Sequence, residues 1–109
     1  MRCAPFVACI VAASVALGGC GGGIGEDERS RAIDAAEAAF AAHGPDFDLD
    51  RGPCIAEQLD GLDDWVADVA HDPRTAVDDQ PANQCRRFRS GAASHFVELD
   101  PDGNVIRAQ

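Results

Sequence analysis

Apolar and polar positions change their period along the chain, and each change predicts an element. Ala4 to Leu17 is an apolar run broken only by Pro5 and Ser14. It has the length of a signal-peptide hydrophobic region and falls short of the roughly 20 residues a membrane-spanning helix needs. Glu26 to His43 reads as a helix, with acids in the first turn, alanines through the middle and Gly44-Pro45 as a stop. Asp27 and Arg31 are spaced four apart in the favourable order. The apolar stripe is Ile33, Ala36 and Phe40, with His43 one turn further on. Only two of these side chains are bulky, so the helix needs a sheet to cover.

The second half supplies strands. Trp65, Ala67 and Val69 alternate with Val66 and Asp68, which predicts a strand from about Asp64 to His71. Three more extended segments follow: Arg86–Arg89 (RRFR), Ser94–Asp100 (SHFVELD) and Asn104–Ala108 (NVIRA), with Ser90–Ala93 and Pro101-Asp102-Gly103 as connections. The second connection has turn chemistry throughout, because proline presets φ and glycine takes φ > 0. Pro53 to Leu62 reads two ways, as a short helix with Ile55, Leu59 and Leu62 on one side or as an edge strand, and the short helix is favoured. These patterns give an α+β domain, an N-terminal helix packed on a small antiparallel sheet of three to four strands. Strict alternation through Arg86–Arg89 would put Cys85 and Phe88 on opposite faces, a conflict that a bulge or a cystine at the strand's mouth would resolve.

Composition narrows the partners. The 109 residues carry a formal charge of -10, and every basic residue is arginine. Such a chain is repelled by phosphate backbones, so no nucleic-acid partner is expected. About 85 residues after the apolar leader suffice for one domain with a thin core.

Leu17-Gly18-Gly19-Cys20 closes the apolar run. This order resembles the lipobox of bacterial lipoprotein precursors over residues 1–20, with Gly18 at a position where the family more often has Ala, Ser or Thr. The resemblance implies cleavage before Cys20, a diacylglyceryl group on its sulfur and a membrane partner through that anchor. It divides the chain into a signal peptide (1–19), a lipidated cysteine with a glycine-rich tether (20–25) and the domain (26–109). The address implied is the extracytoplasmic side of the cell envelope. An ordinary secretory leader cut near Gly18 or Gly19 is the alternative. On the lipoprotein reading Cys3 and Cys9 leave with the leader and Cys20 carries lipid, so Cys54 and Cys85 remain for a disulfide in an oxidising compartment. Two unbridged thiols are the other possibility.

Several patterns could carry chemistry. Asp46, Asp48 and Asp50 fall at positions 1, 3 and 5 of an EF-hand-like loop, and Glu57 falls at position 12. Arg51 stands where that loop needs glycine, so calcium through these four carboxylates is the alternative function rather than the first reading. The polar loop 72–84, punctuated by Pro73 and Pro81, is the first choice for a surface facing an unidentified protein partner, with a plain connector as its other reading. Arg86, Arg87 and Arg89 could hold an anion or offset acids such as Asp64 and Asp68. Ser94 and His95 are adjacent and point to opposite faces of a strand, so they do not form a nucleophile and base. His43, His71 and His95 lack zinc spacing. The expectation is a lipid-anchored envelope protein whose domain is a non-catalytic binding or structural module without a cofactor.

Overall fold

The computed structural model describes residues 25–109; Cys20 and the leader lie outside the described residues. Helix α1 spans Glu26–His43. After two single 3-10 turns come strand β1 (Cys54–Ala56), strand β2 (Trp65–Val69), two more 3-10 turns, the one-turn helix α2 (Arg86–Arg89), strand β3 (His95–Leu99) and strand β4 (Val105–Ala108). The sheet order is β1-β2-β3-β4. The domain is α+β, with one helix on a four-stranded sheet and a Cys54–Cys85 disulfide with sulfurs 2.06 Å apart.

The pairing departs from an all-antiparallel sheet. β1 with β2 and β3 with β4 are antiparallel, but β2 and β3 run parallel, with Trp65 beside His95 and Asp68 beside Glu98. Parallel neighbours cannot be joined by a tight turn, so the chain must cross over from one end of the sheet to the other. Residues 70–94 make that crossing.

Alternation in the two central strands therefore serves two layers. Trp65, Ala67, Val97 and Leu99 meet α1, and Leu59 and Leu62 complete that core. The helix presents Ala32 and Ala36, both fully buried, with Ala35 and Phe40 packed beside them, while Ile33 stays at the margin. Small residues suit this face because Trp65 fills it. Burying a tryptophan removes roughly 150–250 Å² from water, worth about 4–6 kcal/mol gross at about 25 cal/mol per Å². The indole N–H donates to Glu28 Oε2 at 2.7 Å, which ties the first turns of α1 to the sheet. Gly103, at φ +93° in the β3–β4 turn, lies under Phe40; a Cβ there would stand 2.9 Å from the ring.

Two expected elements are corrected. Residues 53–62 adopt the edge-strand alternative and not the short helix. Pro53 O accepts Val69 N–H at 2.9 Å, β1 follows, and a tight turn bridges Leu59 to Leu62. Arg86–Arg89 is a helical turn and not a strand. The Glu57 carboxylate accepts the backbone N–H groups of Arg86 and Arg87, each at 2.8 Å, and so caps the turn from outside. The Arg87 guanidinium donates to Glu57 O at 2.7 Å and Asp63 O at 2.9 Å. Positions three apart are neighbours on a helix, so Cys85 and Phe88 face the same cleft and the alternation conflict disappears.

The crossover is held at its start by Asp78, a buried carboxylate in the first of its 3-10 turns (Ala76–Asp79). Its oxygens accept Thr75 N–H at 2.8 Å and His71 N–H at 3.0 Å and contact His71 Nδ1 at 3.0 Å. Burial works to raise the pKa of Asp78, but these hydrogen bonds and the His71 ring outweigh it and lower the pKa. Gly52 makes the approach possible. At φ +66° it is left-handed, and a Cβ would stand 2.4 Å from Asp78 Oδ1 and 3.0 Å from Val69 O.

Two predictions follow from this bracing. Gly52→Ala is expected to destabilise the protein by at least about 2 kcal/mol, combining left-handed strain with overpacking. Gly52→Asn tolerates the dihedral but keeps the Cβ, so it should lose nearly as much; a near-wild-type denaturation midpoint for Asn would assign the effect to φ alone. Reducing the disulfide, whose cysteines are 31 positions apart, removes roughly 3.5–4 kcal/mol of constraint on the unfolded chain. The melting temperature should then fall by more than about 10 °C. An unchanged melting curve after reduction, or two reactive thiols in denaturant without reductant, would contradict this.

Candidate functional site

The face of the sheet opposite α1 is only partly covered. Val66 packs there with Cys85 and Ala93, and Cys54 and Phe96 lie against them. Between this small core and the crossover opens a cleft of about 340 Å³ lined by Val66, Asp68, Gln84, Phe88, Phe96 and Glu98, with Arg74 and Arg89 also on its wall. Phe88 meets Phe96 edge-on at 5.1 Å and is 41% exposed, so a large apolar side chain stands open to solvent at this cleft.

Parallel register brings two carboxylates side by side in the cleft, Asp68 on β2 and Glu98 on β3. Their surroundings differ. Glu98 is buried but doubly paired, to Arg74 Nη1 and to Arg107 Nε at 3.3 Å. Arg74 also holds Asp79 at 3.0 Å. Burial works to lower the pKa of Arg74, but Asp79 and Glu98 outweigh it and raise the pKa. Asp68 has no such compensation, and its Oδ1 is buried without a hydrogen-bond partner. Burial, then the neighbouring Glu98 carboxylate, push the Asp68 carboxyl up to about 7 against a smaller opposing pull from Arg74. One carboxyl of the pair thus titrates near neutral pH beside a partner locked by two guanidinium groups.

The four carboxylates of the calcium alternative do not converge. Asp48 accepts Asp50 N–H at 3.3 Å at the start of a 3-10 turn, and Glu57 caps α2. Left-handed glycine falls at Gly52, one position after Arg51. Among the described residues, one group of three potential metal ligands lies within 4.8 Å, Cys54, Glu57 and Cys85, and both its sulfurs are in the disulfide. The histidines are likewise dispersed. His95 stacks on Trp65 at 4.9 Å and lies 3.5 Å from Asp64, while Ser94 donates only its backbone N–H to Asp64, at 2.9 Å. Thr75 Oγ1 is 3.3 Å from His71 Nδ1, the same nitrogen that Asp78 contacts, so the three do not form a proton relay.

Loop 72–84 is organised rather than loose, and its end forms one wall of the cleft through Gln84. Of the arginine trio, Arg87 is spent on carbonyl oxygens, whereas Arg86 and Arg89 make no ion pair among the described residues. They do not offset Asp64 or Asp68 as cross-strand partners. The sequence reading missed Glu98 and Arg74 as members of this site and Asp78 as its brace. The available signal was a pair of acids, Asp68 and Glu98, each in the interior of a hydrophobic strand. Comparison with protein-family models, curated proteins and solved structures finds no match to this chain.

Asp68 gives a pH prediction. Its folded pKa lies above the ordinary value of 3.8, so its favourable contribution is complete at acidic pH and is lost as pH rises toward about 7. Asp68→Asn is expected to be more stable than wild type above pH 7, by up to about 4 kcal/mol, with the difference shrinking toward pH 4. Denaturation midpoints of the two proteins across that window test it, and a pH-independent difference would refute the assignment.

Proposed function

We propose that this chain is a lipid-anchored envelope protein, tethered through Cys20, whose disulfide-braced α+β domain presents a non-catalytic binding surface on the face built by the crossover. The observation that carries the reading is the Cys54–Cys85 bond. Disulfides persist in oxidising compartments outside the cytoplasm, the destination implied by the lipobox-like Leu17-Gly18-Gly19-Cys20. Two or more acyl chains on Cys20 would hold the protein stably, where a single chain would not. The cleft of about 340 Å³ supports a binding role, because it combines exposed aromatic surface with polar groups whose orientation is fixed by the strands.

The full-length chain expressed in bacteria is expected to partition into the detergent phase, and Cys20→Ala to yield a soluble product or an uncleaved precursor. Intact-mass measurement should find an acylated cysteine as the first residue. An unmodified amino terminus, or cleavage anywhere but before Cys20, would defeat the anchoring proposal.

A further inference from the structure

Beside the cleft, across Gln84 and Arg89, runs a second groove of about 510 Å³. Its walls come from three places: the stretch after α1 (Phe47, Asp48, Arg51), the disulfide edge (Pro53, Cys54, Glu57) and the end of the crossover, from Pro81 through Arg86 to Arg89. Arg51 therefore meets Arg86 and Arg89, which come from a distant part of the sequence, in one groove. All three are exposed, and none makes an ion pair or a side-chain hydrogen bond among the described residues. The two carboxylates present, Asp48 and Glu57, already accept backbone N–H bonds. In a chain of net charge -10 this concentration of unpartnered guanidinium is the opposite of what the composition gives elsewhere.

We propose that this groove binds a small, multiply charged oxyanion. The inference takes up the binding role proposed above and does not depend on the lipid anchor. Guanidinium groups present paired donors that match the two oxygens of a carboxylate or phosphate, and three around one groove favour a ligand with two or more negative charges. Charge also sets the ligand's size. A compact anion seated among the guanidiniums meets three of them against the two lining carboxylates, Asp48 and Glu57, which accept backbone N–H groups. Charges beyond about 8 Å are largely screened at physiological salt. An extended polyanion would leave the groove and meet the acidic surface. The Gln84 side chain and the ring of Phe47, which is 40% exposed, supply a further polar contact and an apolar flank.

Calorimetric titration of the full chain in non-ionic detergent tests the proposal, with citrate and inorganic pyrophosphate as separate probes. Saturable one-to-one binding of either supports it; preference for citrate identifies a carboxylate ligand and preference for pyrophosphate a phosphate one. Arg51→Gln and Arg89→Gln should each weaken binding about tenfold or more. Both sites are exposed, so the melting temperature should not move. Arg31→Gln, on α1 and away from the groove, should leave affinity unchanged. No saturable binding of either probe, affinity indifferent to Arg51→Gln and Arg89→Gln, or binding of hexaglutamate with neither small anion bound would each overturn the proposal. Detergent partitioning of the same preparation reads the lipid anchor independently.

Discussion

The parallel pairing of β2 with β3 is the constraint from which the rest of the architecture follows. Had the two strands been antiparallel, a short turn would have joined them and the outer face of the sheet would have stayed bare. Because they are parallel, residues 70–94 must travel the length of the sheet, and they do so without a long helix to carry them. The backbone hydrogen bonds within the crossing close only its own short turns. Three further fixings set its course: Asp78 folds its start onto His71 and Thr75, the Cys54–Cys85 bond ties its later part to β1, and the Glu57 carboxylate holds the first amides of α2. The cleft and the arginine groove are the spaces these fixings leave.

The two faces of the sheet divide the physical tasks. The α1 face is apolar and tight, with Trp65 at its centre and alanines opposite, and the indole N–H is met by Glu28. The crossover face contains the costly groups: Asp68 with an unsatisfied oxygen, Glu98 between two guanidiniums, and an exposed phenylalanine. Ionising a buried carboxyl without a partner works against folding. The stability contributed on the first face and by the disulfide is what lets the second face keep such groups.

Legibility followed the range of the interactions. The helix, β2, β3, β4 and the 101–103 turn were readable because periodicity and turn chemistry are local. The Cys54–Cys85 pair came from counting cysteines. What sequence could not give was any choice made by distant partners. Arg86–Arg89 looks like a strand until Glu57, some thirty positions earlier, caps it as a helical turn. Residues 53–62 carry a helix-compatible spacing that pairing with β2 overrides. Parallel and antiparallel β3 have the same alternation, so the crossover and the Asp68–Glu98 neighbourhood it creates were invisible. The aspartates at 46, 48 and 50 show the converse: their spacing suggests a ligand set, yet the chain turns before they can converge.

The disulfide also changes the topology of the molecule as a graph. With Cys54 joined to Cys85 the chain is no longer linear but a closed ring, from which α1 and the β3–β4 hairpin depart as two tails. Arg51 lies just outside the ring on one tail, and Arg86 and Arg89 just outside it on the other. Measured through the sulfur bridge, these arginines are a handful of residues apart, although the backbone path between them runs around the whole ring. Bringing them together thus incurs only the small closure entropy of a short connection. The groove is assembled, in contact-order terms, as a local structure made from distant sequence.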